Sequence, residues 1–301
     1  MRVRLLGTAA GGGVPQWNCR CPNCQAIREG RGAARTHCAL AFSADGVGWY
    51  LINATPDVAR QVARWPELQP RSGIRSTPIR GILLTDGELD HVLGLLHLRE
   101  GMPWTLYATA SVAATLEEDL RLLPALRCYA DVRLRVLSLA DPECLEDEAP
   151  AVEVRVVETG RRPPRYRGRA GEAHGGAVVA VALTDLSSGS RVVYAPGVGE
   201  LSDALRDQCA GADVVFFDGT FWADDELRRF GISEETAREM GHVPVGGRQG
   251  SALWLSEVRA RSTLYVHINN TNPLLDPASS ERAWIRGLGL DVADDGWEGL
   301  V

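Results

Sequence analysis

The stretch Gly81-Ile-Leu-Leu-Thr-Asp-Gly-Glu-Leu-Asp-His-Val-Leu-Gly94 decides the fold. Ile82-Leu83-Leu84 is a short apolar run and reads as a buried strand. The strand leads into a turn that gathers Asp86, Glu88, Asp90 and His91 within six positions. Val92 to Leu96 then opens a helix, expected to continue from Leu95 to Arg99. Three carboxylates beside one imidazole repel one another unless something neutralises them, and a divalent cation does so best. A solvated acidic loop capping the helix is the competing reading.

The frame favours the metal. Thr85, Asp90, His91 and Gly94 after an apolar strand resemble the metal loop of the metallo-β-lactamase superfamily, usually Thr-His-x-His-x-Asp-His-x-x-Gly. Asp86 and Glu88 stand where the first two histidines would be. Two imidazole nitrogens have become two carboxylate oxygens. That exchange argues against ordinary two-zinc hydrolysis, which leans on nitrogen ligands.

Working outward, the chain has 301 residues and a net charge of −7. The length suits one large α/β unit, and the charge argues against nucleic acid or an anionic membrane as partner. No run approaches the length of a membrane span, and Met1 to Gly7 lacks a secretory pattern, so a cytoplasmic protein is expected. Seven cysteines, an odd number without a secretory signal, do not suggest a disulfide framework.

Val3 to Leu6 reads as a strand entering the glycine-rich turn 8–13. Residues 39–43 and 48–53 read as a hairpin. A short helix is expected from Pro56, begun by Thr55, and another from Ser111 to about Leu123. Residues 141–150 are the expected joint between two sequential halves. Residues 160–176 are rich in arginine and glycine and read as a mobile loop. A second hairpin joins 178–183 to 191–194. Strands at 213–217 and 263–266 end at Asp218 and His267. Each half therefore alternates strands and helices, which predicts a single four-layer αββα sandwich over residues 1–301.

Cys19-Arg-Cys21-Pro-Asn-Cys24 is a second cluster with metal-ligand spacing. Three thiolates this close can wrap one zinc ion in a closed structural site, with the fourth ligand drawn from elsewhere. Asn270 is a candidate for it, through its amide oxygen. His267, at a strand end, is well placed to join the acidic loop, because α/β ligand sites gather at strand termini. Asp218 binds metal or caps the following turn. His242 sits in a glycine-rich loop as a candidate acid, base or donor. His37 and His97 read as structural, and His174 as exposed.

Together, residues 7–24, 84–96, 194–197, 241–247 and 267–273 resemble the B-protein family of pyrroloquinoline quinone (PQQ) biosynthesis. The blocks Asp86-Gly-Glu-Leu-Asp-His91 and His267-Ile-Asn-Asn-Thr-Asn-Pro273 carry the resemblance. It implies a metallo-β-lactamase fold and a structural zinc on the three cysteines. It also implies a part in making PQQ from a glutamate–tyrosine unit. Two roles have been ascribed to the family: carrier or exporter of PQQ, and iron-dependent hydroxylase of the tyrosine ring.

The residues themselves agree with the hydroxylase in one respect. His91 and His267 with Asp90 or Asp218 make a two-His-one-carboxylate set, the kind that holds iron(II) with open positions. Gly197 stands where the hydrolases carry a bridging aspartate, which argues for one catalytic metal. Asp86 and Glu88 are left as ligands, substrate contacts or proton carriers. The expected set is therefore zinc on the cysteines, iron(II) at His91 and His267 with at least one of Asp90 and Asp218, Asp86 and Glu88 remaining candidate ligands, and catalysis by Asp90, His91, His267 and His242. The expected ligand is a Glu-Tyr-type substrate or PQQ. A metallohydrolase releasing the Glu-Tyr unit, or a carrier involved in transport, is the alternative. A homodimer stays open.

Overall fold

The computed structural model describes residues 1–100, 103–145, 152–167 and 175–301. The first sheet takes β1 (Arg2–Gly7), β2 (Ala39–Ser43), β3 (Trp49–Ile52), β4 (Ile79–Leu83), β5 (Trp104–Thr109) and β6 (Val132–Leu137). The second takes β7 (Glu143–Cys144), β8 (Val152–Gly160), β9 (Val178–Asp185), β10 (Arg191–Ala195), β11 (Val214–Asp218), β12 (Thr263–Val266) and β13 (Asp291–Val292). The last strand, β14 (Glu298–Leu300), crosses back and pairs with β1, so the two halves are not strictly sequential. In both sheets antiparallel neighbours give way to parallel ones, at β3–β4 and at β10–β11.

Period-two alternation builds the layers. Leu40 and Phe42 point between the sheets, while Ala39 and Ala41 face outer helices. Val181 and Leu183 meet them from the second sheet, with Ala180 and Ala182 turned to the other outer layer. Three apolar clusters thus lie between four layers, the αββα sandwich expected from the sequence. The edge strand β7 lies within the expected joint, and residues 146–150 are outside the described residues.

Some local expectations need correction. The helix after β5 is capped by Thr109, whose Oγ1 accepts from the Val112 amide, and not by Ser111. It does not run unbroken to Leu123: a π-turn at Thr115–Asp119 and Arg121 at φ 56° interrupt it before Leu122–Arg127. Residues Leu93–Leu98 form a 3-10 helix, and the helix after Thr55 begins at Val58. Thr55 stands at that start: its Oγ1 accepts from the Asp57 amide at 3.3 Å, its carbonyl from the Val58 amide at 2.9 Å, and its hydroxyl donates to Gln61 Oε1. Capping depends on where the chain leaves the sheet, which composition alone does not fix. Among the described residues no helix is long and apolar enough to cross a membrane.

Candidate metal centre

Carboxyl ends of the parallel strands in both sheets converge on one cavity, where ligand sites of α/β folds gather. Residues 85–91 follow β4, Gly197 follows β10, Asp218 ends β11 and His267 follows β12. The cavity encloses about 440 Å³.

The acidic loop is locked from below. The Ala54 amide donates to His91 O (2.8 Å) and the Gly94 amide to Ala54 O (2.9 Å). A Cβ on Gly94 would lie 2.0 Å from Thr55 O, so only glycine permits this approach. Asn53, at φ 67°, bonds both the amide and hydroxyl of Thr85 through Oδ1, at 3.1 Å each. Sequence reading missed Asn53; an asparagine closing an apolar strand was the available signal.

His91 stands at the centre. Its Nδ1 lies 2.8 Å from Asp86 Oδ2 and 2.9 Å from Oδ1. A carboxylate only accepts, so Nδ1 carries the hydrogen. Among the described residues Nε2 is buried and without a hydrogen-bond partner, 3.8 Å from Asp90 Oδ2. His267 Nε2 lies 3.4 Å from the same Asp90 oxygen. Donor atoms of Asp90, His91 and His267 all fall within 4.8 Å of one another. A buried, unpartnered imidazole nitrogen facing a carboxylate and a second imidazole fits a divalent cation.

The His267 backbone sits at φ 56°, a region that costs a non-glycine residue of order 1–3 kcal/mol. Its ring is held by Thr220: Oγ1 is 2.7 Å from His267 Nδ1 and 2.6 Å from Asp218 Oδ1. The carboxylate takes the hydroxyl hydrogen, so Oγ1 accepts from Nδ1 and leaves Nε2 with its lone pair toward Asp90. Thr220 entered the sequence reading only as part of a turn.

Asp218, His242 and His267 form a second cluster within 4.8 Å. The oxygens of Asp218 are already engaged by the Val198 and Thr220 amides, the Thr220 hydroxyl and His242 Nδ1 at 2.6 Å. The structure therefore groups Asp218 with His242, not with His91. Asp86 likewise faces the Nδ1 side of His91, away from the donor set. Glu88 lines the cavity without joining either cluster. Gly197 lines it too and offers no side chain.

Charge follows this geometry. Burial would raise the Asp90 carboxyl, but His91, His267 and His37 hold it well below the usual range. Burial opposes protonation of His91, yet Asp86 and Asp90 outweigh it and lift the ring to about 9. A cation at Nε2 would replace that proton. Burial lowers His267, and the charges of His91 and His242 add to it. His242 is raised, Asp218 outweighing burial.

Glu88 is pushed up to about 7 by burial first, then by Asp86 and Asp90, with His91 and Arg162 opposing. Its folded value thus lies above the ordinary 4.5, so stability from this group is full below 4.5 and lost as pH rises to about 7. In chelator-treated protein, Glu88→Gln is expected to be more stable than wild type at pH 8. The advantage should shrink to nothing toward pH 4.5. Urea unfolding at stepped pH checks this, and a pH-independent difference would refute it.

The three cysteines gather as expected, with sulfurs within 4.8 Å. The Asn270 amide faces them, its nitrogen 3.0, 3.4 and 3.5 Å from the sulfurs of Cys19, Cys21 and Cys24. The amide thus presents nitrogen where oxygen was expected; a half-turn of the group exchanges the two. Burial and the neighbouring thiols push Cys24 up to about 11. His37 lies 2.6 Å from Asp57 through Nδ1 and accepts from the Gly12 amide through Nε2. His97 is exposed, and His174 lies outside the described residues.

Known proteins match this fold along its whole length. A profile of the beta-lactamase superfamily domain matches residues 48–268. Coenzyme PQQ synthesis protein B of Azoarcus sp. (strain BH72) is 42% identical, over 100% of this chain and 99% of the relative. Its counterpart from Pseudomonas aeruginosa (strain UCBPP-PA14) is 40% identical, over 98% of each. A 1.98-angstrom crystal structure of Zn(2+)-bound PqqB from Methylobacterium extorquens superposes with a TM-score of 0.91 at 36% identity, covering both chains fully. A diphosphatase of the PhnP family shares the fold at TM-score 0.67 and 19% identity. Identity at the level of the first three, end to end, goes beyond a shared fold: the chain belongs to the family of coenzyme PQQ synthesis protein B, within the metallo-β-lactamase superfamily.

Proposed function

We propose that this chain acts in PQQ biosynthesis as a mononuclear metal oxygenase that hydroxylates the tyrosine ring of a Glu-Tyr-derived intermediate. One observation carries the reading: the buried, unpartnered Nε2 of His91 facing His267 Nε2 and Asp90 Oδ2. Two imidazoles and one carboxylate suit iron(II) and leave positions open. When bound, iron(II) supplies the redox chemistry that activates oxygen.

The chain's own residues orient and move protons. Asp86 fixes the ring and tautomer of His91, and the Thr220–Asp218 pair does so for His267. His242 donates Nδ1–H to Asp218, which leaves Nε2 as the nitrogen available to a substrate hydroxyl or amine in the cavity. A separate zinc, closed by Cys19, Cys21, Cys24 and the Asn270 amide, would fasten the N-terminal loop to the segment carrying His267.

Asp86→Asn is expected to weaken divalent-metal binding about 10–100-fold, since it removes the carboxylate that orients His91. Competition with a chromophoric chelator measures this, and wild-type affinity in the variant would remove Asp86 from that role. The reaction itself is tested with iron(II)-loaded protein and a Glu-Tyr substrate: oxygen uptake should depend on substrate and yield a catechol or its quinone. Equal turnover by zinc-only protein under strict anaerobiosis would replace this reading with a hydrolase. That second reading draws on the Asp218, His242 and His267 cluster, a candidate second metal position.

A further inference from the structure

The cavity is electrically divided. Its floor carries Asp86, Glu88 and Asp90, while its rim carries Arg161, Arg162, Arg165 and Arg238. Two of these cations are committed locally: Arg161 Nε binds Glu158 Oε1 at 2.6 Å, and Arg238 Nη2 donates to Gln249 O at 3.0 Å. The other two share one carboxylate. Arg162 Nη2 lies 3.2 Å from Glu235 Oε1, and Arg165 Nη2 meets Glu235 Oε2. One oxygen for each guanidinium is the arrangement a bound carboxylate would adopt.

The Arg162 head is held in place. Arg162 donates through Nη1 to Glu239 O and packs beside Gly241, where a Cβ would sit 3.6 Å from its Cδ. The strap between the two arginines and the acidic loop is pinned by Tyr166, whose hydroxyl donates to Gly87 O at 2.5 Å. Arg167 pairs with Asp119 at 2.7 Å on the same strap. The Arg165 head stays largely solvent-exposed, so its remaining N–H groups are accessible.

We propose that Arg162 and Arg165 form a carboxylate subsite at the cavity rim, in which Glu235 is a resident carboxylate that a substrate carboxylate displaces. The class of ligand is a small amino-acid-like acid with an uncharged aromatic or apolar portion. The acidic floor repels its carboxylate and the rim attracts it, so the uncharged portion is turned toward Asp90, His91 and His267. The inference deepens the proposed function by naming what orients the substrate, and it rests on that reading only for the identity of the probe.

The test is calorimetric titration of zinc-reconstituted protein, which performs no redox chemistry, with the dipeptide Glu-Tyr and with its dicarboxamide. The diacid is expected to bind at least about tenfold more tightly than the diamide, as expected for charge-assisted hydrogen bonds. Arg165→Gln and Arg162→Gln should each weaken the diacid about tenfold or more and leave the diamide unchanged. Glu235→Gln should tighten the diacid, because the competitor is gone. Equal affinities for the two probes, no saturable binding of the diacid, or an equal loss of both probes in the arginine variants would each overturn the subsite. Oxygen uptake does not enter the readout. A preferred diacid with no oxidation by iron-loaded protein would sustain the subsite and sink the oxygenase; the converse result would do the reverse.

Discussion

Replacing His267 by alanine is expected to abolish oxygen-dependent turnover while leaving zinc on the cysteines. The ring contributes one of the two imidazoles beside Asp90, and its Nε2 lies 3.4 Å from Oδ2 of that residue. Without it, His91 and Asp90 offer only two donors, too few to hold iron(II) firmly. Loss of a residue that merely orients a ligand costs about 10–100-fold, so loss of the ligand should exceed about a hundredfold in kcat/KM. The strain at φ 56° gives a second signature. Alanine gains nothing from that backbone conformation, whereas His267 is compensated by the Thr220 bond at 2.7 Å. Thr220→Val should therefore reproduce part of the defect, through metal affinity more than through KM. Metal analysis of His267→Ala should find cysteine-bound zinc at wild-type stoichiometry. Turnover within tenfold of wild type would exclude His267 from the metal set.

Replacing Cys21 by alanine is expected to remove zinc and stability together. Cys21 is buried, its sulfur 3.2 Å from the Asn270 carbonyl oxygen. Asn23 Nδ2 donates to Asn270 O at 3.0 Å and to Asn272 O at 2.9 Å. Burial first, then Cys21 and Cys19, raise the Cys24 thiol, whereas at Cys19 burial is outweighed by hydrogen bonds from Cys21, Cys24 and Asn270, which lower it; a bound cation would hold all three as thiolates. Losing a structural metal costs about 3 kcal/mol or more, a drop in Tm of about 5–10 °C for a chain this long. Parallel zinc analysis and thermal melts check this, and unchanged values in both would refute the closed site.

The sequence determined the elements that repeat. Apolar runs at residues 39–43, 178–183 and 213–217 marked strands, and the structure divides their two faces between the inter-sheet and outer layers. Asp90, His91 and Gly94 fell at their motif spacing because the constraint is local: one strand end, one helix start and a glycine against Thr55. The cysteine cluster was legible for the same reason, since its ligands lie within one turn of chain.

Long-range partnership was decided only by the tertiary structure. Asp86, Glu88, Asp90 and Asp218 are all carboxylates near metal-competent histidines in the sequence, and nothing local separates their roles. Folding separates them: Asp86 lies on the Nδ1 side of His91, Asp90 lies on the Nε2 side, and Asp218 is consumed by Thr220, His242 and two turns. The β14 strand likewise closes on β1 across almost the whole chain, a pairing no periodicity announces. A side chain's chemistry is written in its identity, but which atom of a neighbour it faces depends on how two sheets pack, and that is fixed only when distant strands meet.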